Sequence, residues 1–90
     1  MRIDDFLSTV GIIKRRTVAK EMGTNGLIMV NGRPIKPSYE VKFGDIIHIK
    51  GSHPFAAEVL DVPTGSVAKA ARDRYFKSIP IPERSGKYSS

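Results

Sequence analysis

The 90-residue chain has no cysteine, which excludes disulfides and thiolate metal sites together. Nitrogen ligands are nearly as scarce. His48 and His53 are the only histidines, and no third ligand follows at a metal-binding spacing, so no metal is expected. No stretch approaches the roughly 18 consecutive apolar residues of a membrane span. The opening Met-Arg-Ile-Asp-Asp lacks a basic region followed by an apolar run, so no secretory signal is expected. A cytoplasmic protein with no membrane partner and no cofactor is the expectation.

Acidic residues are missing from one place in particular. Residues 14–36, KRRTVAKEMGTNGLIMVNGRPIK, hold six of the fifteen Lys and Arg and a single acid, a local charge of +5. Residues 1–13 carry −1 and residues 37–90 carry +2, so the formal +6 is concentrated rather than spread. A solubilising helix would interleave Glu and Asp with its bases. A localised excess points instead to a phosphate-bearing partner.

What is present organises into one small domain. At 40% hydrophobic and 27% charged, the composition is that of a folded protein rather than a disordered one. Ile3, Phe6, Leu7 and Val10 follow helical spacing, with Gly11 just past the end. A second helix is expected from about Lys14, burying Val18, Ala19 and Met22 and stopping at Gly23. After Gly26 the period changes. Leu27 to Val30 reads as a strand, Asn31-Gly32 as a two-residue hairpin turn, and Arg33 to Lys36 as an edge partner limited by Pro34. Gly44-Asp45 marks another turn before the strand Ile46 to Lys50, and Phe55 to Val62 suggests a fourth strand. Ser66 is positioned to cap a last helix, with Val67, Ala70, Ala71, Arg74 and Tyr75 along one side. The expected class is α+β: two short N-terminal helices, a small mostly antiparallel sheet, and a C-terminal helix. The expected boundaries are 1–62 for the domain, 63–79 for a helix packed on or beside it, and 80–90 for a flexible tail.

Within the basic stretch, Arg16 and Lys20 stand four apart and off the apolar face, while Lys14 opens or precedes the helix. Arg15 falls toward the apolar edge, where a long side chain buries its stem and keeps its head in water. Arg33 and Lys36 follow closely enough to flank the same surface. Guanidinium groups grip phosphate through paired hydrogen bonds and lysines supply mobile charge. Catalysis has little support. Asp4 and Asp5 are adjacent and so diverge on a helix, and Ser8, Thr17 and Ser38 have no evident base. Asp4 suits a helix N-terminus or a salt bridge with Arg2 or another base. Gly23-Thr24-Asn25-Gly26 matches a GxxG loop, but a strand follows it where such loops need a helix. The phosphate-loop pattern GxxxxGK[ST] does not occur.

The blocks RIDDFL, IKRRTVAKEM, GLIMVNGRPIKPS and VKFGDIIHI, in that order over residues 2–49, resemble the RNA-binding domain named after the fourth protein of the small ribosomal subunit. Among its members the chain is most similar to the small stand-alone ones, heat-shock protein fifteen and the ribosome-quality-control factor RqcP. It lacks the long basic extension of the former. The resemblance implies an L-shaped surface, the αL motif, built from two helices and the following hairpin. It implies binding to ribosomal RNA of the large subunit and to tRNA, stabilising stalled peptidyl-tRNA while a partner protein adds a C-terminal tail. The protein would be a non-enzymatic RNA clamp, expected to act as a monomer. Position by position, the resemblance matches Arg2 and Asp4 to the family's opening Arg-x-Asp, Lys14, Arg16 and Lys20 to its basic second helix, and Asn31-Gly32 to its hairpin turn; Arg15, Thr17, Arg33 and Lys36 complete the assigned RNA-binding set.

Other readings remain open on sequence grounds. A generic structured-RNA binder or ribosome-assembly factor would share these residues. VNGRPI followed by GDIIHI also resembles the β-grasp of sulfur carriers, although those begin with a strand and end in Gly-Gly. A domain that binds an acidic protein is the third option. The last helix either covers the sheet or touches a tRNA or protein partner through Lys69, Arg72 and Lys77.

Overall fold

Ile3, Phe6, Leu7 and Val10 line one face, and burying that face decides where the first helix lies. The computed structural model of the chain describes residues 1–81. Helix α1 runs Ile3–Thr9, and Val10 caps it in a non-helical conformation. Gly11 then turns the chain at φ +81°, a conformation that costs a side-chain-bearing residue strain. All four apolar residues are buried. Each contributes about 1.5–3 kcal/mol by leaving water.

Helix α2 spans Arg16–Thr24. It begins two residues later than the spacing of the bases suggested. The Ile13 amide donates back to Leu7 O at 3.0 Å, holding the turn that precedes Lys14, and Arg15 stays extended as the N-cap. The packed face is also rotated from the expected one. Ala19 and Gly23 are buried and Met22 is half-buried, while Val18 is 40% exposed. Gly23 does not end the helix. A methyl there would meet Pro37 Cγ at 3.0 Å, so glycine allows the helix to press against that ring. The stop falls at Asn25 and at Gly26, whose φ is +75°.

The sheet order is β2-β1-β3-β4-β5, with every neighbouring pair antiparallel. Its strands are β1 Ile28–Val30, β2 Arg33–Pro34, β3 Ile46–Ile49, β4 Phe55–Val59 and β5 Phe76–Ser78. Pro34 confines β2 to an edge because its nitrogen donates nothing to a ladder. Ile28, Val30, Ile47, Ile49 and Val59 face α1 and Ala19 in one hydrophobic core.

The C-terminal α-helix expected over 63–79 does not form. A 3-10 helix, Lys69–Arg74, stands in its place, with Ala68 rather than Ser66 at its N-cap and with none of its residues buried. The chain then becomes β5. Alanines at the expected packing positions offer too little apolar area to anchor a helix, and strand pairing prevails. Phe76 meets Phe55 edge-to-face at 6.3 Å between ring centroids, and the Ile79 amide donates to Ala56 O at 3.0 Å. Phe76–Ser78 therefore belongs to the same sheet as the rest. Of the expected tail, residues 82–90 lie outside the described ones.

Candidate nucleic-acid interface

The N-terminus and the loop after β2 are tied together, and this builds the first part of the surface. The Ile3 amide donates to Tyr39 O at 2.7 Å and the Val41 amide to Met1 O at 3.0 Å, while the N-terminal ammonium meets Glu40 at 3.1 Å. The loop consequently lies along the start of α1, with α2 on its other side. Between them runs a groove of about 390 Å³ lined by Arg2, Lys20, Gly23, Thr24, Lys36, Pro37 and Ser38. Three bases from three separate segments converge on it. The close Gly23–Pro37 approach forms its floor.

A buried carboxylate organises the adjoining arginines. The Asp4 side chain has no solvent exposure, and its Oδ2 accepts from Arg2 Nη2 at 3.0 Å and lies 3.8 Å from Arg16 Nε. Its Oδ1 accepts the Asp5 amide at 2.7 Å. Arg16 Nη1 also reaches Asp5 Oδ1 at 3.2 Å. One carboxylate thus aligns guanidinium groups from the start of α1 and the first turn of α2, which remain 40% and 50% exposed. These four charges cancel formally. Each guanidinium still keeps unused N–H donors, and those suit phosphate oxygens. The uncancelled charge comes from exposed Lys14, Arg15, Lys20, Arg33 and Lys36.

The hairpin is rigid for a separate reason. Asn31 and Gly32 sit at φ +53° and +84°, the signs a type I′ turn requires. The Asn31 side chain is turned inward in its bonding. Its Nδ2 donates to Asp45 Oδ1 at 3.1 Å, and its Oδ1 accepts the Ile46 amide at 3.0 Å. Asp45 is 6% exposed and also accepts from Tyr39 O–H at 2.8 Å and the Lys42 amide at 2.9 Å. Burial raises the Tyr39 pKa above its usual value, and the hydrogen bond to Asp45 and that carboxylate's charge raise it further. Lys42 Nζ lies 5.2 Å from the Tyr39 ring centroid, in cation–π range.

The S4 domain model matches residues 1–47. The chain belongs to the S4 domain family. It is 45% identical over 67 residues to the RQC P-site tRNA stabilizing factor of Helicobacter pylori strain J99, covering 71% of this chain and 77% of that protein. The factor of the same name from Streptococcus pneumoniae is 38% identical over 76 residues, covering 83% and 86%. The trimeric structure of Vibrio cholerae Heat Shock Protein 15 superposes with a TM-score of 0.79 at 21% identity, over 88% of this chain and 81% of that one, and shares the fold.

The S4 match contains all eleven assigned positions and stops inside β3. Within this S4 domain, Arg2, Lys20 and Lys36 share the groove, and Arg2 and Arg16 share Asp4. Lys14 and Arg15 are exposed where the chain enters α2, and Arg15 lies outside the helix instead of along its apolar edge. Thr17 lines an adjoining depression with Lys20, Glu21, Thr24 and Asn25. Arg33 is exposed on β2, beside a separate hollow with Val30, Asn31, Pro34, Ile35 and Tyr39. Two assigned residues bond inward: Asp4 is enclosed, and the exposed Asn31 uses one amide N–H on Asp45 and its oxygen on the Ile46 amide. Residue patterns gave no warning of Ser38, Pro37 and Gly23 in the groove. A glycine in the middle of a helical pattern was the available signal, because it marks a close approach.

Proposed function

We propose that this protein binds ribosomal RNA of the large subunit and tRNA, and stabilises stalled peptidyl-tRNA in ribosome-associated quality control. The observation that carries this reading is the groove where Arg2, Lys20 and Lys36 converge beside Asp4-aligned Arg16. Such an arrangement suits the phosphate backbone of a folded RNA. Guanidinium donors fix its register and lysines add charge without selecting bases. The names of the relatives at 45% and 38% identity support the choice of tRNA and the quality-control setting.

Arg2, Lys14, Arg15, Arg16, Lys20, Arg33 and Lys36 contact phosphate in this reading. Thr17 and Gly32 lie at the surface beside them. Asp4 and Asn31 position their neighbours. The protein works as a clamp rather than a catalyst, as a cytoplasmic monomer, alongside a protein that extends the stalled chain.

Crosslinking in cells followed by sequencing of the bound RNA tests the assignment. Large-subunit RNA together with tRNA is the expected result. Messenger RNA alone would refute it, and assembly precursors without tRNA would favour a ribosome-assembly factor.

A further inference from the structure

Phe43 is the one phenylalanine that the fold leaves in water. Phe6 lies in the core and Phe55 and Phe76 pack against it, whereas Phe43 is 77% exposed and joins no part of the core. Single apolar side chains on a surface are ordinary. What sets this one apart is how firmly the backbone beneath it is held.

Residues 42–45 form a tight turn. The Asp45 amide donates to Lys42 O at 3.1 Å and Gly44 has φ +85°, the pattern of a type II turn with Phe43 at its first central position. The turn is fastened on two sides. On one, the Gly44 amide donates to Val59 O at 2.8 Å and the Val59 amide to Asp45 O at 2.9 Å. On the other, the Asp45 carboxylate accepts from the Lys42 amide, the Tyr39 hydroxyl and the Asn31 side chain. A ring with two side-chain torsions on so fixed a backbone loses little freedom when a ligand covers it.

The same bonds join the turn to the basic surface. Asn31 opens the hairpin turn that leads to exposed Arg33. Tyr39, whose carbonyl accepts the Ile3 amide, directly follows the groove-lining residues Lys36, Pro37 and Ser38. Exposed Lys42 precedes the ring in the chain. An exposed aromatic ring among bases suits single-stranded nucleic acid, because a nucleobase stacks on the ring while arginine and lysine take the phosphates. A protein partner fits less well. Stable protein interfaces bury upward of about 1,000 Å² around an apolar centre. A single ring, with Leu60 37% exposed one residue past Val59, supplies far less.

We propose that Phe43 is a stacking platform for an unpaired base of the bound RNA. The inference rests on the RNA-binding reading above and adds to it an uncharged contact outside the eleven assigned positions.

Co-sedimentation with large ribosomal subunits carrying peptidyl-tRNA, over a range of salt, tests the platform in Phe43→Ala, Phe43→Leu and Phe43→Tyr. Phe43→Ala should bind about 5- to 150-fold more weakly, the loss of one stacked base, with an unaltered circular dichroism spectrum and thermal unfolding. Its slope of log K against log salt should match that of the wild type, because stacking releases no counterions. Phe43→Tyr keeps the aromatic face and should bind as the wild type does. Phe43→Leu is apolar without that face and should lose nearly as much as Phe43→Ala. Wild-type binding by Phe43→Leu would point to an apolar contact with protein and overturn the platform, as would equal losses in Phe43→Tyr and Phe43→Ala. If Phe43→Ala bound as the wild type does while Arg2→Ala/Lys20→Ala/Lys36→Ala did not, the RNA-binding reading would stand and the platform would fall. If the wild-type protein did not bind at all, both would fall.

Discussion

Arg2 Nη2 lies 3.0 Å from Oδ2 of Asp4, a carboxylate with no exposed surface, while the arginine itself is 40% exposed. The acid is inside and the base reaches out. A residue that cannot touch RNA thus sets the direction of one that can. Asp4→Asn should keep the shape and remove the charge that holds Arg2 and Arg16. We expect a loss of about 1–3 kcal/mol in urea denaturation, the cost of a disrupted buried polar contact. We also expect weaker binding to large subunits. Full affinity in Asp4→Asn would show that neither arginine needs this alignment.

Electrostatics should dominate the affinity. If about five phosphates are contacted by the groove and α2, log K should fall against log salt with a slope of roughly −3.5 to −4.5. Arg16→Ala should weaken binding broadly. Its pair with partly exposed Asp5 is worth little, and buried Asp4 keeps its closer partner Arg2 at 3.0 Å, so the cost in folding should stay within about 1–2 kcal/mol. A slope near zero would remove phosphate contacts from the picture.

Gly23 sets the width of the groove. A side chain there points at the Pro37 ring, 3.0 Å from its nearest carbon. Gly23→Ala gains up to about 1 kcal/mol of helix propensity and loses part of it to that contact. Gly23→Val has no such latitude and should cost about 1–3 kcal/mol by overpacking. It should also push Lys36 away from Lys20 and reduce RNA affinity. Thermal unfolding and sedimentation of the same variants separate the two effects.

Tyr39 makes stability depend on alkaline pH. Its pKa is raised by burial first and by Asp45 second, so folding favours the neutral phenol. That contribution is complete below the unfolded tyrosine pKa of about 10 and is lost as pH climbs through the higher folded value. Tyr39→Phe should cost about 0.5–1.5 kcal/mol near neutrality. The gap between wild type and variant should narrow above about pH 10. An equal gap at both pH values would mean that the hydroxyl bond to Asp45 contributes nothing.

Much of this arrangement was legible in the residues, for reasons that differ by element. Ile3, Phe6, Leu7 and Val10 state one helical face without competition, and Asn31-Gly32 is a turn that almost nothing else satisfies. Both signals are local. The rotated face of α2 was hidden because Gly23 contributes through what it lacks: a helix can bury a glycine against a proline, and no apolar count registers it. The 3-10 helix and β5 were hidden because β5 is decided by distant partners, Phe55 and Ala56, about twenty residues earlier in the chain. The bases were easy to read, but their grouping was not. Arg2, Lys20 and Lys36 meet only because residues 37–41 are tied to the N-terminus. Asn31 shows the converse, an assigned contact whose amide the fold already uses in part, for holding the turn.

The central claim is that the groove between α2 and the loop after β2 is where RNA is held. Its most direct measurement is co-sedimentation of the purified protein with large ribosomal subunits carrying peptidyl-tRNA, comparing wild type with Arg2→Ala/Lys20→Ala/Lys36→Ala at equal, moderate salt. The variant should keep its circular dichroism spectrum and lose most of its binding; co-sedimentation equal to wild type would contradict the claim.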